Sequence, residues 1–403
     1  MEIMKKENGT IVSPKGFKVG GLHSGVKRKK KDLGILYSEV PAQAAAVYTL
    51  NKVKAEPIKL TQESLSKDGI IQAVIINSGN ANACTGKQGM HDAIKMQEET
   101  AKKLNIEKDH VAVASTGIIG VEMPMDKIIP HISKLELTKT KEASLDFGEA
   151  ILTTDTFIKS VSFETEIDGK KVIMSGSAKG SGMIEPNMGT MLSFITTDAN
   201  IEADVLDKAL KAIVNQTYNC ITVDGDTSTN DMVLVMANGE AENNLLTENH
   251  PEWEKFTELL KQTSEELSKM IARDGEGASK LIEVTVNGAN KVTDARKVAK
   301  SVVGSSLVKT AIYGTDANWG RVIVAIGYSG VEIDPEQIDL NIGGIQLLEK
   351  SEPITYSEEL AKKYLEEEVI NIDINLNQGP HSGKAWGCDL TYDYVRINAS
   401  YRS

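Results

Sequence analysis

Apolar and polar positions alternate along the chain in short runs that predict a succession of strands and helices. The apolar runs at 70–79 and 110–120 predict strands that end in glycine-bearing loops, and the spacing at 91–105 predicts a helix between them. A second helix is predicted over 141–160, and a hairpin that turns at Asp168-Gly169 follows it.

The second half of the chain continues this alternation. A strand is predicted over 191–199, an amphipathic helix from Ala203 to about Tyr218, a long helix over 251–274 and a strand over 280–288. The fold class predicted is therefore a layered α/β (α+β) sandwich of helices and mixed sheets. Because 403 residues exceed the usual size of a single hydrophobic core, we expect two lobes.

The segment around Thr190 has the layout of a cleavage site. Small and turn-forming residues precede Thr190, and an apolar strand follows it. Gly189 lets the backbone adopt strained conformations in which the Thr190 hydroxyl can attack the preceding carbonyl, giving an ester that water cleaves. The new N-terminal threonine then has a hydroxyl nucleophile and a free α-amine, whose ordinary pKa near ~7.7–8.0 suits a base. The alternative interpretation is an ordinary β-branched residue that opens a strand.

Five motifs follow one another along nearly the whole chain: NSGNANACTG (77–86), ASTGIIG (114–120), AKGSGMI-PNM-TML (178–192), DGEGASKL (274–281) and AWGCDLTYDYVRINASYRS (385–403). Together they resemble the ornithine acetyltransferase family, the bifunctional glutamate N-acetyltransferases of arginine biosynthesis. The resemblance implies an N-terminal-threonine nucleophile enzyme generated by self-cleavage. It transfers acetyl from N-acetylornithine to glutamate through an acetyl-Thr190 intermediate, in ping-pong order.

The same resemblance implies two chains cut from one precursor, an α chain of residues 1–189 and a β chain of residues 190–403. Two copies of each are expected to form a heterotetramer. The familiar junction of the family is Ala-Thr-Met-Leu, whereas this chain has Gly189 before Thr190. Glycine is also small, so we expect cleavage to occur.

Thr116 and Gly117 match the oxyanion pair of the family. They end a predicted strand in a glycine loop, where a hydroxyl and a backbone N–H can both point into a cleft. A purely structural turn is the alternative. The resemblance places substrate contacts, besides Thr190, at five further positions: Thr153, Lys179, Glu276, Asn398 and Ser403.

Each of these substrate contacts has a plainer interpretation. Thr153 is predicted at a helix turn and Lys179 in a loop, where a capping threonine and a solvated lysine are common. Glu276 lies between two glycines, where its carboxylate can bind the side-chain amine of ornithine or simply be exposed. The run 385–403 alternates strongly and predicts a strand that carries Asn398 and Ser403 into the body of the protein.

Charge and composition exclude several classes of protein. The net charge of −12 would repel a nucleic-acid backbone, so the basic run at 27–31 is predicted to be a solvated surface loop. The six histidines have no metal-ligand spacing, which predicts no metal site. The three cysteines are far apart, and no run is long and apolar enough for a membrane span. A cytoplasmic protein without membrane partners is expected.

Three questions about function stay open on the sequence. No cofactor is expected, but acetyl-CoA is a candidate second acetyl donor, since family members with and without that activity share these motifs. An N-terminal-threonine amidase or aminopeptidase is the alternative enzyme, because it forms the same acyl-enzyme and passes the acyl group to water. A small-molecule-binding protein with a disabled junction is the non-enzymatic alternative, and Gly189 is the feature that supports it.

Overall fold

The computed structural model describes residues 2–185 and 191–400. The strands of this part of the chain are β1 (Met4–Lys5), β2 (Phe17–Leu22), β3 (Leu33–Tyr48), β4 (Ile70–Asn80), β5 (Val111–Ile118), β6 (Lys159–Ile167), β7 (Lys170–Lys179), β8 (Leu192–Thr197), β9 (Met232–Ala237), β10 (Leu281–Ala289), β11 (Asp339–Ile342), β12 (Ile345–Glu349), β13 (Glu352–Pro353), β14 (Val369–Asn375) and β15 (His381–Cys388). The α-helices are α1 (Glu56–Asp68), α2 (Gly86–Leu104), α3 (Met125–Ile132), α4 (Lys141–Ile151), α5 (Ala203–Val214), α6 (Trp253–Arg273), α7 (Val292–Gly304), α8 (Ser306–Tyr313), α9 (Trp319–Gly327), α10 (Glu358–Tyr364) and α11 (Tyr392–Ala399). Among these residues, no helix has the length and apolar character needed to cross a bilayer.

The chain divides into two compact units. Unit 1 comprises Met1–Gly180, Asn187–Asn215 and Thr227–Leu267, and unit 2 comprises Ser181–Pro186, Gln216–Asp226 and Ser268–Ser403. Unit 1 therefore takes residues from both sides of position 190, so the two units do not coincide with the predicted α and β chains.

A mixed sheet forms the centre of unit 1. Its strand order is β1-β6-β7-β8-β9-β3-β4-β5, and β2 pairs with β3. Strand β3 is 16 residues long, and its two ends have different partners. Its first part pairs with β2 and β4, the register shifts between Tyr37 and Ala42, and its last part pairs with β9. Strand β3 therefore joins two halves of the sheet.

Strands β4 and β5 are buried on both faces, which explains why their sequences are nearly continuous apolar runs. In β4, Val74 and Ile76 belong to one core cluster, whereas Ala73 and Ile75 belong to another. Strand β5 alternates in the same way. The second cluster also includes Met96 of α2, so this helix covers one face of the β4–β5 pair.

An aromatic pair fixes helix α4 on the sheet of unit 1. The ring centroids of Phe147 in α4 and Phe194 in β8 are 6.2 Å apart, with an interplanar angle of 69°. Both side chains are fully buried, and edge-to-face packing of this kind adds to the free energy of apolar burial. The pair anchors the helix whose end leads into residues 152–158.

Unit 2 is built on a second mixed sheet, with the order β13-β12-β11-β14-β10-β15. Strand β10 is central, parallel to β14 and antiparallel to β15. Helix α7 buries Ala295, Val298, Ala299 and Val302, the one-face spacing of an amphipathic helix. The layered sandwich of helices and mixed sheets predicted from the sequence is therefore confirmed.

Several predicted elements match the structure closely. Strands β4, β5, β8 and β10, together with helices α2 and α6, lie within a few residues of their predicted bounds. The predicted hairpin is formed by β6 and β7, with Ile167 paired to Lys170. Asp168 and Gly169 have φ angles of 53° and 69°, the two left-handed residues that a tight type I′ hairpin requires.

Two predicted helices are shorter in the structure. Helix α4 ends at Ile151 rather than near residue 160, and Lys159 already belongs to β6. The helix ends because Leu152 has an extended backbone conformation, with φ −72° and ψ 154°. The Lys159 ammonium then lies 2.7 Å from the Asp155 carboxylate, and both side chains are buried. Helix α5 ends at Val214, four residues before its predicted end.

The predicted C-terminal strand is wrong in its second half. Strand β15 ends at Cys388, and residues Tyr392–Ala399 form helix α11. The Thr391 hydroxyl accepts a hydrogen bond from the Asp393 N–H, which caps the first turn of this helix. A helix-start signal therefore outweighs the alternation of apolar residues.

Candidate active site

The carboxyl ends of β4 and β5 lie side by side in unit 1. Their parallel register pairs Ser78 with Thr116 and Gly79 with Gly117. Gly117 has a φ of +134°, and a Cβ there would lie 2.3 Å from the carbonyl carbon of Gly79. A side chain at position 117 is therefore excluded, since two backbones approach each other too closely. Carboxyl ends of parallel strands are a common place for ligand binding in α/β sheets.

Lys179 contacts Thr116, the first residue of the predicted oxyanion pair. The distance from Lys179 Nζ to Thr116 Oγ1 is 3.3 Å. The predicted loop position of this lysine is wrong, because Lys179 is the last residue of β7 and is only 8% exposed. Strands β5 and β7 are not neighbours in the sheet, so the contact depends on how β3 joins its two halves. A cation therefore lies next to the predicted oxyanion residue.

Thr153 lies in the segment that follows helix α4, and it is half-buried. Its backbone N–H donates a 3.0 Å hydrogen bond to Asp155 Oδ2. Position 153 is therefore defined by a local turn that a buried carboxylate closes, not by a helix turn as predicted.

Asp155 is a buried carboxylate that the sequence interpretation missed. Its Oδ1 accepts hydrogen bonds of 2.7 Å from Lys159 Nζ and from the backbone N–H of Gly180. Burial alone would raise the pKa of Asp155, but the positive charges of Lys179 and Lys159 outweigh burial and hold the pKa well below its ordinary range. Aspartates are common in polar loops, so the sequence pattern alone does not indicate that this one is buried and ion-paired.

The basic run at 27–31 is only partly the surface loop that was predicted. Arg28, Lys29 and Lys30 are exposed. Lys27 is half-buried, and its Nζ donates hydrogen bonds of 2.7 Å to the carbonyl oxygens of Lys31 and Leu152. Burial lowers the pKa of Lys27 to about 8.

The stem of Lys27 also lies over the end of β4, since a Cβ built on Gly79 would be 3.1 Å from Lys27 Cγ. The Lys27 ammonium donates a hydrogen bond to the carbonyl oxygen of Leu152, the residue immediately before Thr153. Lys27 therefore links the end of β4 to the segment that carries Thr153.

In unit 2 the structure brings Glu276 and Asn398 together. Asn398 Nδ2 donates a 2.7 Å hydrogen bond to Glu276 Oε2. Glu276 is 7% exposed, and its backbone N–H donates to the carbonyl oxygen of Ser181 at 2.9 Å. The exposed-glutamate alternative is thus wrong, and two residues predicted separately as substrate contacts form one polar cluster.

Gly277 allows this arrangement, because helix α11 packs directly against its backbone. It has a φ of +72°, and a Cβ there would be 2.7 Å from the Tyr394 backbone nitrogen. The Thr391 hydroxyl donates a 2.7 Å hydrogen bond to the carbonyl oxygen of Gly277. Helix α11 is therefore tied to the loop that carries Glu276.

Asp224 and Tyr394 extend this cluster, and the sequence interpretation missed both. The Tyr394 hydroxyl donates a 3.3 Å hydrogen bond to Asp224 Oδ2. Asp224 also accepts 2.7 Å bonds from the N–H groups of Met183 and Ile184. Burial and the negative charge of Asp224 raise the pKa of Tyr394.

Gly189, Thr190 and Ser403 lie outside the residues that the structure describes. Strand β8 begins at Leu192, two positions after Thr190. Leu192 pairs with Lys179 on β7, so the strand that begins two positions after Thr190 lies beside the predicted lysine.

No cluster of three or more histidine, cysteine, aspartate or glutamate side chains suited to a metal ion occurs in residues 2–185 and 191–400. The polar groups assembled in unit 1 are instead a hydroxyl, ammonium groups and a carboxylate. In unit 2 they are carboxylates, an amide and a phenol. Such groups can orient a charged substrate and stabilise a developing negative charge.

Comparison with known proteins agrees with this chemistry. The family model described as the ArgJ family matches residues 18–403. The arginine biosynthesis bifunctional protein ArgJ of Listeria monocytogenes serotype 4b (strain F2365) is 59% identical over 403 residues, covering 100% of both chains. The protein of that name from Geobacillus kaustophilus is 56% identical over 98% of this chain and 97% of its own.

Among solved structures, the arginine biosynthesis bifunctional protein argJ from Bacillus halodurans is 62% identical. The match has a TM-score of 0.52 and covers 53% of this chain and 100% of that one. The family model covers nearly the whole chain, and both relatives are more than half identical to this chain over almost their full length. The chain described here belongs to the ArgJ family.

Proposed function

We propose that this chain is a glutamate N-acetyltransferase of arginine biosynthesis, which moves acetyl from N-acetylornithine to glutamate. The observation that carries the proposal is its full-length identity of 54–59% to bifunctional arginine biosynthesis proteins. The contact between Lys179 and Thr116 supports it, because it places a cation beside the hydroxyl predicted to stabilise an oxyanion.

The first half of the reaction forms an acetyl-enzyme. The Thr190 hydroxyl attacks the acetyl carbonyl carbon of N-acetylornithine, and the α-amine of the same residue takes its proton. The Gly117 N–H and the Thr116 hydroxyl stabilise the negative charge on the carbonyl oxygen. An ammonium group is only a hydrogen-bond donor, so the Thr116 hydroxyl oxygen accepts the bond from Lys179. The hydroxyl proton of Thr116 therefore stays available to donate to the oxyanion. Collapse breaks the amide C–N bond, and ornithine leaves with the proton from the α-amine.

The second half transfers the acetyl group. The amine of glutamate attacks the ester carbonyl of acetyl-Thr190, and the same two donors stabilise the second oxyanion. The ester C–O bond breaks, the Thr190 oxygen regains a proton, and N-acetylglutamate leaves. Since ornithine departs before glutamate reacts, the kinetics follow a ping-pong pattern.

The nucleophile is produced by cleavage between Gly189 and Thr190, into chains 1–189 and 190–403. The length of the Bacillus halodurans chain supports this cut. That chain matches over its whole length but spans 53% of this one, and 53% of 403 residues is about 214 residues. The proposed β chain has the same length.

Five residues besides Thr190 bind substrate. Glu276 accepts a charge-assisted hydrogen bond from the side-chain amine of ornithine, and Asn398 orients its carboxylate. Thr153 and Lys179 bind the groups next to the scissile amide. Ser403 keeps a terminal hydroxyl that can bond the amino and carboxylate groups of the substrates.

The reaction uses no cofactor, because one residue supplies both nucleophile and base. Acetyl-CoA serves as a second acetyl donor, which the word bifunctional in the names of the relatives supports. The two chains stay together as two copies of each, and the enzyme works in the cytoplasm.

Two measurements test the proposal. Intact mass spectrometry of the purified protein should show two chains, the second beginning Thr-Met-Leu-Ser. With N-acetylornithine and glutamate, ornithine and N-acetylglutamate should form in equal amounts, with parallel double-reciprocal plots. Acetate release that does not depend on glutamate would instead identify an amidase, and a single uncleaved, inactive chain would refute the proposal.

A further inference from the structure

We infer that Gly182 is a positioning residue, which fixes where the Glu276 carboxylate lies and thereby sets the length of the amine side chain that the enzyme accepts. The inference rests on the proposed function, because Glu276 is the proposed contact for the side-chain amine of N-acetylornithine. Gly182 belongs to the motif at 178–192, in which Lys179 and Thr190 already have proposed roles.

The Glu276 carboxylate lies directly against Gly182 in unit 2. A Cβ at position 182 would be 2.4 Å from Glu276 Cδ and 2.5 Å from each of the two carboxylate oxygens. Ordinary contacts between nonbonded carbon atoms have separations of ~3.5–4.0 Å. Any side chain at position 182 would therefore take the place of this carboxylate.

Backbone conformation does not account for this glycine. Gly277, on the loop that carries Glu276, has a left-handed φ of +72°, whereas Gly182 does not have a left-handed φ. The three atoms nearest to a Cβ at position 182 all belong to the side chain of Glu276. An alanine there would therefore conflict with one carboxylate and leave the backbone unstrained.

Two hydrogen bonds restrain Glu276 in this position. Its backbone N–H donates to the Ser181 carbonyl oxygen at 2.9 Å, and its Oε2 accepts a 2.7 Å bond from Asn398 Nδ2. The Asn398 amide is itself restrained, since it also donates to the Tyr394 carbonyl oxygen at 3.0 Å. Moving the carboxylate away from Gly182 therefore changes its contact with Asn398.

The loop backbone on either side of Glu276 is equally confined. A Cβ at Gly275 would be 2.4 Å from Cys388 Sγ, and a Cβ at Gly277 would be 2.7 Å from the Tyr394 backbone nitrogen. Close packing on both sides leaves the loop little room to shift. A methyl group at position 182 would therefore be accommodated by rotation of the Glu276 side chain, which displaces the carboxylate.

The position of the carboxylate matters because it binds one end of the substrate while the acetyl amide reacts at the other. A carboxylate and an ammonium form short charge-assisted hydrogen bonds, with nitrogen–oxygen distances of ~2.7–2.9 Å. The reach of Glu276 therefore determines how many methylene groups can separate the amine from the acetylated end. The substrate class selected is an N-acetylated diamino acid of one chain length.

The first test is Gly182→Ala in the full-length protein. We expect KM for N-acetylornithine to rise by about 10- to 100-fold, the usual effect of losing a hydrogen bond to a charged group. The value of kcat should change less, because the lost contact binds the ground state and the transition state alike. KM for glutamate should also change less, since the side chain of glutamate has no amine.

Gly327→Ala is the matched control in the same unit. Gly327 is the exposed last residue of helix α9, and a Cβ there would have no neighbour within 4 Å. This substitution adds the same methyl group without displacing a side chain. Both KM values and kcat should therefore equal those of the wild type.

The second test combines Gly182→Ala with Glu276→Asp. The aspartate retracts the carboxylate by one methylene group, and the methyl group at position 182 fills the volume that is vacated. KM of the double variant for N-acetylornithine should therefore rise less than the two single effects multiplied together, which a double-mutant cycle measures. Relative to the wild type, the double variant should favour Nα-acetyllysine, whose amine is one methylene group farther away.

Coupling between the two positions, together with the changed chain-length preference, supports the inference. Independent effects, an unchanged preference, or a wild-type KM in Gly182→Ala would overturn it. If mass spectrometry and circular dichroism show that Gly182→Ala neither folds nor cleaves, the double variant decides. Restored folding and cleavage there would support a conflict with the carboxylate, and continued failure would exclude it.

Failure of the proposed function is recognised separately. A wild type that transfers no acetyl from N-acetylornithine to glutamate would refute that function. Calorimetric titration with ornithine compares the wild type with Gly182→Ala without turnover. Equal affinities for ornithine in these two proteins would overturn the positioning role of Gly182 even if the wild type is an active acetyltransferase.

Discussion

Asn398 and Glu276 are joined by a 2.7 Å hydrogen bond between residues 122 positions apart in sequence. Asn398 belongs to a helix near the end of the chain, and Glu276 lies on a glycine-flanked loop. The bond holds the carboxylate in one orientation. Helix α11 thereby becomes part of the substrate-binding structure proposed for unit 2.

Replacing Asn398 by alanine should raise KM for N-acetylornithine by about 10- to 100-fold, because hydrogen bonds to charged groups contribute about 1.5–3 kcal/mol. Steady-state kinetics measures the effect. Arg396→Ala is the control on the same helix, since Arg396 forms an exposed ion pair with Asp393 that contributes little. Equal KM values for the two variants would argue against a role for Asn398 in binding.

Thr116→Val should lower kcat by about 10²–10³-fold with little change in folding, because it removes one proposed oxyanion donor and keeps the shape of the side chain. Ser115→Ala is the adjacent control. The Ser115 hydroxyl donates to Asn77 Oδ1 at 2.6 Å, away from Lys179. Turnover measured at saturating substrate should separate the variants. A Thr116→Val enzyme as active as Ser115→Ala would leave Thr116 with a structural role.

Thr190→Ala should remain a single chain and transfer no acetyl, since it lacks the hydroxyl that we propose acts in both cleavage and catalysis. Thr190→Ser should cleave and retain part of the turnover. A denaturing gel and an assay for N-acetylglutamate check both expectations. Cleavage of Thr190→Ala at the same bond would mean that another group cuts the chain.

The stability of the protein should depend on the ionisation of Asp155 in acid. Its pKa is depressed in the folded state by Lys179 and Lys159, against a value of ~3.9 in the unfolded chain. The contribution is therefore complete above about pH 4 and is lost as the pH falls further toward the folded pKa. The difference in Tm between wild type and Asp155→Asn should stay constant from about pH 8 to 5 and narrow below about pH 4. Calorimetry across this range measures the Tm difference. A difference that did not narrow below about pH 4 would contradict the depressed pKa assigned to Asp155.

Local patterns were enough to predict much of the framework. Strands β4 and β5 were recognisable because strands buried on both faces need continuous apolar runs. The hairpin at Asp168-Gly169 was recognisable because its turn demands two left-handed residues. The same local reasoning was wrong for 385–403, where tyrosine, valine and isoleucine fit a strand but the Thr391 cap starts a helix.

Sequence by itself determined the order of strands and helices in the framework, the positions of the motifs and thus the family. The tertiary structure alone decided which polar groups from distant segments meet: Lys179 with Thr116, Asp155 with Gly180, and Glu276 with Asn398. Periodicity and turn chemistry act over a few residues, so they are visible in a short window. A buried charge is stable only where distant segments supply its partners, and its position therefore depends on the whole folded chain.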